Sequence, residues 1–128
     1  MRELIYAVEG KSANLRTSAT DDPGSGGACH KYHIVRAVSE GEDKPQGEVL
    51  AEIYFQNGPI NVDGNGVNGV QCEDLVAIDI DRLEGFQRGP YACNDNQEAL
   101  DHLRAALECL QRRTKARIAR GVEGTHKV

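Results

Sequence analysis

Three arginines near the end of the chain carry the clearest chemical signal. Arg113, Arg117 and Arg120 follow an i, i+4, i+7 spacing, which on a helix puts them on one face. Guanidinium groups present forked N–H donors that match phosphate oxygens. The same residues also suit a helix C-terminus, where cations offset the macrodipole and a charged end is simply solvated. Upstream, Phe86 offers a ring on which a base can stack, and Asn96 an amide that can read a base edge or a ribose. Each of the two also fits a plain structural role. The stretch Asp63-Gly64-Asn65-Gly66-Val67-Asn68-Gly69-Val70 runs into a helix start, where free backbone N–H groups attract anions. It has neither the Gly-Lys-Ser/Thr of a phosphate loop nor the GxGxxG order, so it does not point to nucleotide hydrolysis, and a tight turn explains it equally well. Cys29-His30-Lys31-Tyr32-His33 contains zinc-type donors. A closed zinc site needs four ligands, and no second clustered pair exists. A Cys–His nucleophile lacks a third, orienting member.

The elements that must position these residues follow from periodicity. Residues 3–9, 31–38 and 48–56 read as strands of a small antiparallel sheet. Residues 10–29, rich in Gly, Ser, Thr, Asp and Pro, read as a long irregular connection, and residues 39–47 as a hairpin loop. A helix is expected over about 72–88, with Glu73 and Asp74 in its first turn and Gly89-Pro90 as its stop. Its apolar arc combines a ridge of Val76, Ile80 and Leu83 with flanking Leu75, Ile78 and Phe86. That arc is wide enough to pack on two surfaces. A second helix is expected over about 95–120, capped by Asn94 with Gln97 as reciprocal partner. Leu100, Leu103, Leu107 and Leu110 form a three-four seam that continues to Thr114, Arg117 and Gly121. Gly121 is the natural stop. The fold class is therefore α+β: a small N-terminal antiparallel sheet followed by a C-terminal two-helix hairpin, in a single domain over 1–128.

The 128 residues suit one domain with one modest core. The net charge of −5 argues against a binder of nucleic-acid polymers. The charge is unevenly spread, because residues 104–128 carry seven basic and two acidic side chains. A compact cationic element on an acidic body suits a small anionic ligand. Neither a signal sequence nor a membrane span is read from the chain, and the four cysteines form no CxxC pair, so reduced thiols in a cytoplasmic protein are expected.

Several phrases, in order, carry a resemblance. They are Phe55-Gln56-Asn57-Gly58-Pro59-Ile60, Gly66-Val67-Asn68-Gly69-Val70, Glu73-Asp74-Leu75, Ile80-Asp81-Arg82-Leu83, and Phe86-Gln87 with Gly89-Pro90 and Cys93. Arg113-Thr114 follows, leading to Arg117 and Arg120-Gly121-Val122-Glu123-Gly124-Thr125-His126. Together they resemble the phage Thoeris anti-defence protein 1 family, whose helical hairpin is shared with anti-CBASS protein 2. The resemblance runs from about Phe55 to His126. Ala28-Cys29-His30-Lys31-Tyr32 extends it upstream. It implies a non-catalytic sponge in the host bacterial cytoplasm, which binds cyclic nucleotide second messengers without cofactor or metal. The implied ligands are glycocyclic ADP-ribose isomers from TIR enzymes, or cyclic di- and trinucleotides. It further implies a homo-oligomer, either a dimer or a hexamer built as a trimer of dimers, with ligand between subunits. In that scheme Phe86 stacks on adenine, Asn96 bonds base or ribose, and Arg113 and Arg117 clamp the pyrophosphate. Arg120, Gly124 and Thr125 would line a second, cyclic-trinucleotide pocket. Asp79 departs from the pattern, standing where relatives carry an apolar residue, and so does Asn94-Asp95-Asn96, which lacks the Glu often found before that Asn. The rival readings are a nucleotide-degrading phosphodiesterase or ATPase, for which no metal cluster or general base is found, and a basic-helix module for nucleic acid or a host protein.

Overall fold

The leucine seam becomes the spine of the structure. A computed structural model describes residues 1–4, 14–36, 47–62 and 64–128. The chain falls into two compact units: residues 1–58 with 67–69, and residues 59–66 with 70–128. The first is a sheet and the second a helical hairpin, so the fold class is α+β.

The sheet has four antiparallel strands in the order β1-β2-β3-β4, with β1 at Arg2–Glu3, β2 at Leu15–Ala19, β3 at Lys31–Arg36 and β4 at Glu48–Tyr54. The expected strand over 3–9 and the loop over 39–47 fall largely outside the described residues. The reading of 10–29 as irregular needs correction, because Leu15-Arg16-Thr17-Ser18-Ala19 is a full strand paired with β3, from Leu15 opposite Arg36 to Ala19 opposite Tyr32. The local sequence favours this weakly. Cross-strand pairing and burial of Ser18 and Ala19 decide it. β3 and β4 pair from Lys31 opposite Tyr54 to Arg36 opposite Glu48, with a bulge at Ile34/Val35.

Asp21 closes the turn between β2 and β3. Its carboxylate accepts hydrogen bonds from the backbone N–H of His30 (3.0 Å) and of Lys31 (3.0 Å). Desolvation pushes the Asp21 carboxyl upward, but the backbone donors of Lys31, His30 and Asp21 itself outweigh it and hold the group below its ordinary value. A second fastening joins residues 56–57 to 67–69. The Asn68 side chain accepts from the Asn57 N–H (2.8 Å) and donates to the Asn57 carbonyl (2.8 Å), and the Gln56 side chain accepts from the Asn68 N–H (2.9 Å). Gly69 is required there by close approach, since a Cβ would strike the backbone of Tyr54 and Phe55.

In the helical unit, α1 spans Cys72–Gln87 and α2 spans Asn94–Ala119. Asp74 accepts from the Gln71 N–H (2.8 Å) and so holds the start of α1 with a carboxylate. The cap of α2 is Cys93, not Asn94. Cys93 has an extended backbone, and its sulfur accepts from the Asn96 N–H. Gln87 fixes this turn by accepting from the Cys93 N–H (3.0 Å) and donating to its carbonyl (3.1 Å), which shifts the helix start one residue ahead of the sequence reading. The less exposed positions of α2 are Asn96, Leu100, Leu103, Leu107, Leu110, Thr114 and Arg117, an unbroken three-four alternation. Leu100, at 2 % exposure, is the most enclosed of them. On α1, Ile78 of the expected second packing surface is 63 % exposed. At the far end, the Gly121 N–H bonds the Ile118 carbonyl (3.0 Å) and the Val122 N–H bonds the Arg117 carbonyl (3.0 Å), a Schellman motif.

Leu100→Ala is expected to cost about 2–5 kcal/mol, read as a lowered urea midpoint with little change in slope. Because the Asp21 carboxyl is depressed, its contribution is present above the unfolded value of about 3.9. That contribution disappears as pH falls through the lower folded value. Thermal melts between pH 5 and pH 2 should therefore fall more steeply for the native sequence than for Asp21→Asn.

Candidate functional site

The turn between α1 and α2 gathers the aromatic half of the site. Phe86 lies half-buried at the penultimate position of α1, with its ring nearly perpendicular to that of Tyr91 at 6.4 Å between centroids and an interplanar angle of 86°. The Arg82 guanidinium stands over the same ring at 5.0 Å, as the i, i+4 spacing on α1 allows. Asn96 donates one amide hydrogen to the Tyr91 carbonyl (3.4 Å), while its Oδ1 accepts nothing from a described residue. Phe86, Tyr91, Asn96 and Arg82 thus form one cluster, with an open amide beside an aromatic ring.

The arginines occupy the other end of α2, and they do not form the single ridge that spacing predicts. Arg113 is exposed and makes no hydrogen bond or ion pair with a described residue. Arg117 lies on the inward seam with its side chain only 15 % exposed. Its Nε donates to Glu123 Oε2 (2.9 Å), Nη1 to the Lys127 carbonyl (2.7 Å), and Nη2 to the carbonyls of Val122 (3.0 Å) and Thr125 (3.3 Å). A guanidinium has five N–H donors, so the tail engages most of this one. Arg120 Nη1 donates to the Val128 carbonyl (2.9 Å). The seam delivers Arg117 inward for the same reason that it buries the leucines, and the tail, turned back by the Schellman motif, supplies acceptors where a hydrophobic partner would otherwise sit.

That tail has its own geometry. The Asn61 N–H bonds the Gly124 carbonyl (2.9 Å). Gly124 has φ of 75°, and a Cβ there would come within 2.5 Å of Asn61 Nδ2, so any other residue would be strained and would displace the Asn61 side chain. The Thr125 hydroxyl donates to the Val122 carbonyl and accepts from the Lys127 N–H (3.2 Å). Gly124 and Thr125 are therefore brought together around Arg117, with Arg120 beside them. Glu123, Asn61, Arg82 and Tyr91 were not singled out from sequence. The available signals were an acid shortly after the end of an arginine-bearing seam, and an arginine four residues before Phe86.

The two halves are far apart within one chain. Asn96 and Arg113 are 17 residues apart on one unbroken helix, about 26 Å along its axis. The Cys29–His33 segment supports the sheet instead. The Cys29 sulfur contacts the Asp21 carbonyl (3.4 Å), and buried His30 packs beside Gly24. Among the described residues no group of three or more His, Cys, Asp or Glu is placed to hold a metal ion. Among them, too, no helix is long and apolar enough to cross a membrane. The first turn of α1 already carries the Asp74 carboxylate.

Arg117→Ala should release the tail as well as remove a charge. Amide hydrogen exchange over residues 122–127 is expected to accelerate on the order of tenfold or more, while the amides of the central turns of α2 keep their protection.

The family model described as Acb2/Tad1, hairpin domain, matches residues 47–115. A relative described as Thoeris anti-defense 1, from Bacillus phage SBSphiJ7, is 46 % identical over 78 residues, which make up 61 % of this chain and 54 % of the relative. The chain thus spans about half the length of that relative. The family match includes Phe86, Asn96 and Arg113, while Arg117, Arg120, Gly124 and Thr125 lie beyond it. As the match takes in more than half of the chain and all of α1, this protein belongs to the Acb2/Tad1 hairpin-domain family.

Proposed function

We propose that this protein is a phage anti-defence sponge, which holds cyclic nucleotide immune signals uncleaved between two copies of its helical hairpin. The ligands are glycocyclic ADP-ribose isomers, with cyclic di- and trinucleotides as further candidates, and the systems blocked are Thoeris and CBASS. The observation that carries this reading is the separation along α2. An aromatic and amide end and a cationic end lie about 26 Å apart, too far for one small ligand to touch both in one chain. Antiparallel pairing of two hairpins sets Phe86 and Asn96 of one copy against Arg113 and Arg117 of the other, and twofold symmetry makes two equivalent sites. The family membership and the name of the phage relative support the same conclusion.

In this arrangement Phe86 stacks on the adenine and Asn96 bonds the base or ribose with its open amide atoms. Arg113 brings an unengaged guanidinium to the diphosphate. Arg117 adds the donor that its tail contacts leave over, so the clamp is unequal and Arg113 leads it. Arg120, Gly124 and Thr125 form a second subsite for cyclic trinucleotides, ordered by Arg117. Sequestration requires slow release and no bond cleavage, so affinity resides mainly in the off-rate. The homo-oligomer is a dimer, or a hexamer built from three such dimers.

Native mass spectrometry with a panel of cyclic nucleotides, followed by heat release, tests the reading. Ligand bound to dimers or hexamers and recovered intact is expected. Recovery of cleaved product indicates an enzyme, and DNA binding at physiological salt without cyclic-nucleotide binding indicates a nucleic-acid module. Arg113→Ala should weaken binding by roughly 1.5–3 kcal/mol and Phe86→Ala by about 1–3 kcal/mol, measured by calorimetric titration, with unchanged melting for Arg113→Ala.

A further inference from the structure

The aromatic half of the proposed site holds a cation that the pyrophosphate clamp does not account for. Arg82 lies over the Phe86 ring at 5.0 Å and makes no hydrogen bond or ion pair with a described residue. Phe86 is half-buried and Arg82 exposed, so an exposed guanidinium covers one face of a ring that solvent partly reaches. Tyr91, 74 % exposed, stands next to the ring in a T-shaped contact. A base stacking on that face of Phe86 must take the place of Arg82. An exposed cation–π contact is weak, weaker than the stacking of a base on an aromatic ring, so the exchange runs in favour of the base. The guanidinium then stands free beside a bound anion.

We propose that Arg82 is a ligand-binding residue, stored on the Phe86 ring in the free protein and transferred to a phosphate oxygen of the nucleotide when the base stacks. This rests on the reading of Phe86 as the base platform. It places one phosphate-directed charge in the same copy as the base, in addition to those contributed by the second copy. It also favours nucleotides over uncharged nucleosides, because only a phosphate compensates the guanidinium for the ring that it leaves.

The test compares the native protein with Arg82→Gln and Arg82→Lys by titration with 3′-glycocyclic ADP-ribose at several salt concentrations. Arg82→Gln is expected to bind about tenfold more weakly and with a shallower salt dependence. Arg82→Lys should retain most of the affinity and the native salt dependence. In the free protein the Arg82 side-chain protons should show an upfield ring-current shift by NMR that is lost at saturation. Native affinity in Arg82→Gln overturns the proposal. So does weakened binding with an unaltered salt dependence, which would assign Arg82 to packing of Phe86 alone. Failure of the native protein to bind any member of the panel instead overturns the reading of the site itself, and Arg82 falls with it.

Discussion

The distance fixed by α2 governs everything else about this molecule. An unbroken helix of 26 residues is a rod, and its two ends cannot fold toward each other. One end carries Asn96 beside the Phe86 ring, and the other carries Arg113 and Arg117. The leucine seam between them is committed to packing against α1, with Leu100 as its most enclosed member. A chain built this way has polar groups at both ends of the rod and an apolar seam between them. In the proposed sponge, a second copy running in the opposite direction brings the two kinds of end together. Ile78 on α1 stays outside that packing and is 63 % exposed.

Arg117 shows how one residue can serve folding and charge together. A buried ion pair seldom adds much net stability, since desolvation offsets attraction. Here the guanidinium meets one carboxylate and three backbone carbonyls, so almost none of its hydrogen-bonding capacity is left unsatisfied. The contact organises residues 122–127 around the end of the seam, against Asn61. Arg113, one turn earlier and facing outward, has no such duty. The two arginines have the same charge and neighbouring positions, yet the helix period gives one to the fold and leaves the other to solvent.

Much of this was legible in the residues. The three-four leucines, their extension to Arg117, and the stop at Gly121 all follow from helix periodicity, and the structure places them as that periodicity requires. The strands rich in β-branched residues, 31–36 and 48–54, were equally visible. Strand β2 was hidden because Leu-Arg-Thr-Ser-Ala has little intrinsic strand preference and sits among turn-forming residues, so its state depends on pairing with β3. The cap of α2 was misplaced by one residue. Asn is the usual capping type, whereas the thiol of Cys93 takes that place because Gln87, six residues back in the chain, holds the Cys93 backbone on both sides. The inward turn of Arg117 was implied by the seam but obscured by its charge, and only the folded-back tail supplies the acceptors that make burial tolerable.

The rod also limits how such a protein can diverge. Adding one residue to the middle of α2 would rotate one end by about 100° against the other, changing the bearing of Arg113 relative to Asn96. Adding four would lengthen the rod by about 6 Å and leave a residual twist of about 40°. Seven come close to restoring the original bearing, at an extension of about 10 Å. Changes in the length of this helix that keep the bearing of its two ends therefore come in steps of whole heptads, and finer adjustment falls to side-chain exchange at the ends.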